Sequence, residues 1–420
     1  MSRVLIVYLK NKLVGKLIQS NTGQLSFRYE ESYMSDLDAQ QISIAMPLGP
    51  EEYKENVVRA FFSGLLPDAI ARHKLAKYLG ISQENAFKLL EAIGGECAGA
   101  LALYPEGDNP PSPLQNDIEI LSDSKLLEVI MLLKKRPLMV GADNIRLSLA
   151  GAQDKLAVGL VENKIALIHG TTPTTHILKP LIDDFKDSVH NEFFCMQLAA
   201  NIGIKVPKVE IRCVDDTPYF LIERYDRIIN INKTIVRVHQ EDFCQALGIM
   251  PEMKYEREGG PNVSKSLDLL QKYSLTPAAD RRAFIQRLIF NYLIGNADAH
   301  GKNYSLLYSQ NTPILSPAYD LLSTEVYDNI SLKMAMKIGS KYDPYAVMLR
   351  HWHRLVPDTA AARHDLNKEL IKMSDACLEQ SQVLLNNLQG LGINSSIFDD
   401  ICIVICRRVR HIKQILSQAP

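Results

Sequence analysis

The alternation of apolar and polar positions divides the chain into segments of different character. Near the N-terminus, period-two runs at 4–9 and 13–18 flank Asn11-Lys12 and predict a hairpin. Helical spacing follows at 61–80 and 83–93, with Gly80 and Gly94-Gly95 as stops, and 98–104 returns to strand character. The stretch Pro105-Glu-Gly-Asp-Asn-Pro-Pro-Ser-Pro113 cannot continue a helix or a sheet, because its prolines lack the N–H that either needs. It marks the first boundary. Short strands recur at 145–149, 155–160, 164–168 and 175–179. A helix at 188–202 then places Val189, Phe193, Met196 and Ala200 at helical spacing and stops at Gly203. Strands at 206–214 and 219–223 follow, and beyond 240 the spacing is mainly helical, broken by a hairpin at 303–319. There is no internal repeat. The pattern predicts an α+β chain with a small α+β domain over 1–110, a linker and connecting helix over 111–144, a sheet with one helix over 145–227, and a helical lobe over 228–420.

Composition narrows the class. Of 420 residues, 46% are apolar and 23% charged, the balance of a folded globular protein rather than a disordered or low-complexity one. The 47 basic and 48 acidic side chains leave a net charge of −1, so any contact with nucleic acid or an anionic membrane must be local. Seven cysteines (Cys97, Cys195, Cys213, Cys244, Cys377, Cys402, Cys406) form no C-x-x-C pair and no zinc spacing, which fits a reducing cytosol. Cys402 and Cys406, four apart in an apolar run, read as buried thiols on one helix face rather than as a metal site. The apolar part of the N-terminus is too short for a signal sequence, and no apolar run approaches the roughly 20 residues of a membrane span. The expectation is a cytoplasmic protein without a membrane anchor.

The chemistry-bearing residues cluster in the second half. The segment 280–294 reads as a helix that Asp280 caps and Gly295 ends. The following loop, Asn296-Ala-Asp298-Ala-His300-Gly-Lys302-Asn303, separates Asp298 and Asn303 by four residues. Protein kinases use this spacing for a base that accepts the substrate hydroxyl proton and an amide that holds magnesium, although a polar turn after a helix satisfies it too. In a hairpin with 308 opposite 314, residue 303 lies opposite about 319, which returns Asp320 to Asn303. A carboxylate and an amide oxygen converging beside Asp298 suit magnesium ions on a triphosphate, since these hard cations prefer oxygen ligands. Upstream, Ser148-Leu-Ala150-Gly-Ala-Gln153-Asp-Lys155 joins two predicted strands with small residues. It reads either as a plain hairpin turn or as a loop whose N–H groups approach phosphates, with Lys155 adding charge. Lys179, ending its strand, either stands where a kinase places its phosphate-binding lysine or is a solvated strand-end lysine. Glu192 on the next helix is either its orienting partner or a surface glutamate.

Together these segments resemble the signatures of the HipA-like serine/threonine kinases, the toxin halves of bacterial type II HipBA toxin–antitoxin modules. The matching segments are Ser148-x-Ala-Gly-Ala-Gln-Asp-Lys155, Thr174-Thr-His-Ile-Leu-Lys179, Glu223-Arg-Tyr-Asp-Arg227, Gly295-Asn-Ala-Asp298-Ala-His-Gly-Lys-Asn303 and Pro317-Ala-Tyr-Asp320. Gly64-Leu-Leu-Pro-Asp68, Ile93-Gly-Gly95, Gly99-Ala-Leu, Glu241-Asp-Phe-Cys-Gln-Ala-Leu-Gly248 and Lys254-Tyr-Glu256 extend the likeness over nearly the whole chain.

The resemblance implies a two-lobed protein-kinase-like fold with an all-helical C-terminal lobe, and ATP and Mg2+ as cofactors. By the same resemblance Asp298 is the catalytic base, Asn303 and Asp320 are magnesium ligands, and Lys179 contacts the nucleotide phosphates. Ala150, Gly151, Ala152, Gln153, Asp154 and Lys155 match the phosphate-covering loop. Glu223 and Tyr225 match adenine contacts, Asp226 a ribose contact, and His300, Lys302 and Tyr319 further lining of the nucleotide site. Ser148 matches a serine that family members autophosphorylate, an off-switch in which the added charge repels ATP or displaces the loop. The implied partners are a HipB-like helix-turn-helix antitoxin that reads operator DNA, and a protein substrate of the aminoacyl-tRNA synthetase class, glutamyl-tRNA synthetase first, whose inhibition arrests growth. The alternatives are a catalytically silent kinase-fold co-repressor, or a kinase of another substrate. Two basic groups, Lys333, Lys337 and Lys341, and Arg407, Arg408, Arg410 and Lys413, read as solvated faces or, as the alternative, as phosphate contacts beside a DNA-bound antitoxin. Trp352, between His351 and His353, reads as a packing residue.

Overall fold

A computed structural model describes residues 2–108, 118–140, 147–151, 153–170, 172–231, 234–309 and 311–418. Two compact units divide the chain: Met1–Pro180, Arg212–Lys254 and Ser305–Pro313 form the first, and Leu181–Ile211, Tyr255–Tyr304 and Ile314–Pro420 the second. In the first unit the N-terminal hairpin forms from Arg3–Leu9 and Lys12–Gln19. Its turn falls at Lys10 and Asn11, whose φ of 50° and 67° are the left-handed pair a tight hairpin needs. The strands join a five-stranded antiparallel sheet in the order Tyr53–Lys54, Leu25–Tyr29, Lys12–Gln19, Arg3–Leu9, Leu101–Pro105. Where one helix is expected over 61–80, two occur, Glu55–Gly64 and Ala69–Leu79. Pro67 explains the break, since it has no N–H for the ladder and biases Leu66 away from helical backbone.

A second sheet has six strands, ordered Val209–Val214, Thr217–Glu223, His176–Pro180, Leu156–Val161, Lys164–Ile168, Ile118–Ile120. The strand expected over 145–149 is absent where the chain is described. Leu147 alone bridges to Glu96, and 145 and 146 lie outside the described residues. The proline-rich stretch is described only as far as 108. One apolar core joins both sheets through Phe27, Phe61, Leu103, Leu133, Leu156 and Leu221. Each such buried side chain contributes roughly 2–3 kcal/mol.

The second unit is built on helices. Ser188–Asn201 starts where the pattern predicts. The helix expected over 280–294 runs instead over Pro277–Leu293, because a proline is pre-shaped for the first helical position. Asp280 is therefore inside the helix, and its carboxylate accepts from Ser274 Oγ (2.5 Å) and Leu315 N (2.8 Å). Ala360–Gly390 and Ser396–Ser417 pack against this helix. Trp352 is fully buried with its ring edge-on to Tyr292, 5.3 Å between centroids, as a packing residue should be. Cys402 is buried, whereas Cys406 is partly exposed. Among the described residues no helix is long and apolar enough to cross a membrane, and no group of three or more His, Cys, Asp or Glu side chains is placed to hold a metal ion.

Within the first unit, two titratable residues tie the 238–242 segment to the N-terminal region. Buried Glu241 accepts from Ser43 Oγ (2.6 Å), Ile44 N (2.9 Å) and Tyr308 Oη (2.5 Å). Buried His239 meets Ile42 O through Nε2 at 2.8 Å. Burial pushes Glu241 up from 4.5 to about 7, although its donors pull the other way. Burial likewise pushes His239 down from 6.5 to about 4. An acid raised on folding stabilises the protein below its unfolded pKa and loses that stability as pH climbs to the folded value. A histidine lowered on folding loses stability as pH falls from 6.5 to about 4. The Glu241 contribution should therefore fall by about 3 kcal/mol as pH rises from 4.5 to about 7. Urea unfolding of the wild type and Glu241→Gln across this range isolates it: the stability difference should shift toward the variant by that amount, and a flat difference would remove Glu241 as its source.

Candidate active site

The helix Pro277–Leu293 ends in a constrained turn. Gly295 has a φ of 69°, and a Cβ there would lie 2.8 Å from Glu325 Cβ and from Val404 Cγ1, so both conformation and space require glycine. Asn296, buried, fastens the next residues to the helix. Its N–H donates to Asn291 O (2.8 Å), its Nδ2 to Asn291 Oδ1 (2.9 Å), and its Oδ1 accepts from Asp298 N (3.0 Å). Thr324 Oγ1 accepts from Ala297 N at 2.8 Å. The Asp298 carbonyl accepts from His300 N (2.8 Å) and Asn303 Nδ2 (3.1 Å), which closes the loop on itself. Asp298 and Asn303, five residues apart in sequence, are thus held side by side.

The Asp298 carboxylate is half-buried and receives a 2.5 Å hydrogen bond from Tyr255 Oη. Burial and the adjacent Asp298 charge push the Tyr255 hydroxyl well above its ordinary value, so it stays a donor. The Tyr255 ring stands edge-on to His300, 5.2 Å between centroids. Tyr255 belongs to a segment matched in the sequence, but nothing there pairs it with a residue 43 positions away.

Asn303 and Asp320 line one small, open hollow, together with Arg287, Asn291, Asn296 and Tyr319. The expected hairpin register is not what brings them there. The second strand, Thr312–Leu315, stops well before 320, and the chain from 316 has no regular structure. Side-chain and backbone contacts steer it instead: Arg287 donates to Ser316 O, Ala318 N to Lys205 O (2.8 Å), and Tyr319 Oη to Lys302 O (2.8 Å). Asp320 itself sits at φ 58°. Because Asn303 Nδ2 is committed to Asp298 O, its amide oxygen is the ligand it can offer. An amide oxygen and a carboxylate on one hollow form a donor set suited to a hard divalent cation such as Mg2+. His300 and Lys302 are buried on the same loop.

The first unit holds the other expected residues. Ser148 is wholly buried; its N donates to Glu96 O (2.8 Å) and its Oγ to Leu65 O (2.7 Å). Gly151 has a φ of 109° and its carbonyl accepts from Asp68 N (3.0 Å). Lys155 Nζ folds back to Ala150 O at 2.8 Å. Gln153 Nε2 reaches Pro180 O (3.3 Å), and Asp154 pairs with Lys74 (3.0 Å). Ala152 lies outside the described residues. Lys179 is buried on its strand opposite Phe220. Glu223 is exposed at the end of its strand, and the Tyr225 hydroxyl donates to Gln240 Oε1. In the second unit Glu192 is buried on Ser188–Asn201 rather than on a surface.

Asp226 departs from expectation. Its side chain is 3% exposed, paired with Arg224 (2.9 Å) and Arg227 (3.1 Å), and accepts from Gly99 N (2.7 Å) and Gln240 Nε2 (3.1 Å). Most of these contacts fall on Oδ2, while Oδ1 accepts from Arg224 Nε (3.0 Å). Glu96 extends the cluster to Arg224 (3.4 Å), Arg227 (2.7 Å) and Arg237 (3.5 Å). Burial pushes both carboxyls upward, but three guanidiniums at Glu96, and Arg224, Arg227 and the Gly99 N–H at Asp226, outweigh it and hold both below the usual range. Burial, with Arg224 close by, lowers Arg227 to about 10.

Known proteins share this arrangement of segments. Residues 5–104 match the HipA N-terminal domain family and 147–381 the HipA-like C-terminal domain family. The protein Y4mE of Sinorhizobium fredii is 38% identical over 94% of each chain. The serine/threonine-protein kinase toxin HipA of Shewanella oneidensis is 32% identical over 70% of this chain and 69% of its own. A solved chain from the Shewanella oneidensis complex of HipA, HipB and operator DNA superposes with a TM-score of 0.82 at 26% identity, covering 98% of this chain and 97% of that one. With domain matches over most of its length and a HipA relative at 32% identity, the chain belongs to the HipA-like kinase family.

Proposed function

We propose that this protein is an ATP- and Mg2+-dependent serine/threonine protein kinase acting as the toxin of a toxin–antitoxin pair. The observation that carries the reading is the placing of Asn303 and Asp320 on one hollow beside the loop that holds Asp298, in a chain of this family. Asp298 accepts the proton of a substrate hydroxyl as that oxygen bonds to the γ-phosphorus and the bond to the ADP oxygen breaks. Tyr255 fixes the orientation of the Asp298 carboxylate. Asn303 and Asp320 would hold magnesium, which when bound neutralises charge on the transferring phosphoryl group. Lys302, His300 and Tyr319 support the same loop. In the first unit Lys179 is assigned to the nucleotide phosphates, the 150–155 segment to covering them, and Glu223 with Tyr225 to the adenine. Asp226 is assigned to the framework.

Ser148 is proposed as the self-inactivating phosphosite. It is fully buried, so its loop must leave before phosphate is added. A group carrying about −1.5 to −2 charges would then keep the loop from returning. The leading substrate class is an aminoacyl-tRNA synthetase, whose block would stop translation in the cytoplasm. The proposed partner is a HipB-like antitoxin through which the pair reads operator DNA, as in the Shewanella complex.

Phosphoproteomic mass spectrometry on the full chain, incubated with Mg-ATP and cell lysate, tests this. Phosphate on Ser148 and on a synthetase serine, lost with Asp298→Asn through a drop of about a thousandfold, is expected. ATP binding with no phosphate anywhere would replace the kinase with the co-repressor. Tyr255→Phe should slow transfer roughly tenfold at unchanged Mg-ATP affinity, the loss of one hydrogen bond to a charged group; an unchanged rate removes Tyr255 from the mechanism. Asp226→Asn should lower the unfolding free energy by about 3 kcal/mol, because it leaves buried guanidiniums unpaired. Unaltered stability with a raised KM for ATP would instead return Asp226 to the ribose.

A further inference from the structure

The basic group at 407–413 resolves into unlike residues. Lys413 pairs with Asp375 at 2.7 Å, both about half exposed, as a solvated face predicts. Arg408 is different: its side chain is 3% exposed, and it sits on the apolar face of Ser396–Ser417 with Ile401, Ile405, Ile412 and Ile415. The guanidinium lies between the rings of Tyr292 and Tyr345, 5.0 and 4.4 Å from their centroids. Both its Nε (2.9 Å) and Nη2 donate to Glu325 Oε2. The other carboxylate oxygen accepts from Tyr345 Oη (2.5 Å) and Arg407 Nη1 (3.2 Å). A carboxylate occupied on both oxygens is held in one orientation.

The backbone of that glutamate reaches the catalytic loop. Glu325 N (3.1 Å), Thr324 N (3.1 Å) and Thr324 Oγ1 (3.0 Å) all donate to the Gly295 carbonyl. Thr324 Oγ1 also accepts from Ala297 N, the residue before Asp298. One helical turn before Arg408, Val404 fills the space that a Gly295 side chain would take. Two contacts from one helix thus bear on the point where the loop leaves Pro277–Leu293. Stability alone does not call for this ion pair, since well-packed apolar residues stabilise such a site as well or better. An ion pair adds a fixed direction. The helix Ser396–Ser417 also lies beyond 381, where the match to the HipA-like C-terminal domain ends.

We infer that Arg408, acting through Glu325 and Gly295, is a positioning residue that sets the loop carrying Asp298 for phosphotransfer; this rests on the kinase reading above. Single-turnover phosphate transfer at saturating Mg-ATP, Mg-ATP affinity by calorimetry, and thermal unfolding are measured on the full chain for wild type, Arg408→Met, Arg408→Lys and Lys413→Met. For Arg408→Met, nucleotide affinity should stay within about twofold while the rate of the folded protein falls roughly 10- to 100-fold. Arg408→Lys should recover part of the loss, and Lys413→Met none should be lost. If Arg408→Met transfers phosphate at the wild-type rate, or slows only in proportion to its unfolded fraction, the inference is overturned. Should Arg408→Met not fold, Glu325→Gln, which keeps the side chain's shape, carries the same comparison. A wild type that binds Mg-ATP without transferring phosphate defeats the kinase reading itself and the inference with it.

Discussion

A backbone that leaves a helix must find new partners for every N–H and C=O it carries, or lose roughly 1–3 kcal/mol for each buried one left unmade. At Gly295 this requirement shapes the site. The carbonyl of that residue gathers three donors, Asn296 serves as both donor and acceptor, and Thr324 passes a hydrogen bond from one segment to the next. None of these groups performs chemistry. They make a segment without regular structure as determinate as a helix, and the orientation of Asp298 follows from them.

The first unit meets a different requirement with similar means. Its two sheets share an apolar core, yet polar joints fix their register at the edges of that core. Glu96 binds three arginines through its carboxylate while its carbonyl holds Ser148, and Glu241 gathers donors from 43, 44 and 308. Apolar contact tolerates sliding, whereas a buried carboxylate with several directed donors does not. The N-terminal region is therefore part of the frame around the 147–151 segment, through Leu65, Asp68 and Glu96.

Much of this was readable in the chain itself. Period-two runs, glycine stops and the helix at 188 came directly from local pattern, because adjacent residues decide them. The pairing of Asp298 with Asn303 was readable from spacing, and the return of Asp320 from a hairpin argument whose destination held although its route did not: irregular chain pinned by Arg287 and Tyr319 replaces the ladder. What escaped lay in long-range pairings. Tyr255 finds Asp298, Asp226 finds Gly99, and Arg408 finds Glu325 across separations that no local window spans. For Arg408 a local sign existed: it falls in step with the isoleucines of its helix, and a charge on an apolar face needs an internal partner. For Asp226 its place in a matched segment gave no sign of the guanidiniums around it, because a framework residue and a ligand contact look alike there.

The left-handed backbone at Asp320 has a consequence for descent. Few side chains accept a φ of 58°, with asparagine, aspartate and glycine the ones that do so at least expense. On the magnesium role proposed for Asp320, a single exchange of aspartate for asparagine there would preserve shape, strain and neighbours while removing the charge offered to the cation. Loss of activity in a lineage can thus pass without a trace in its architecture, and a relative that superposes closely is not on that account an enzyme.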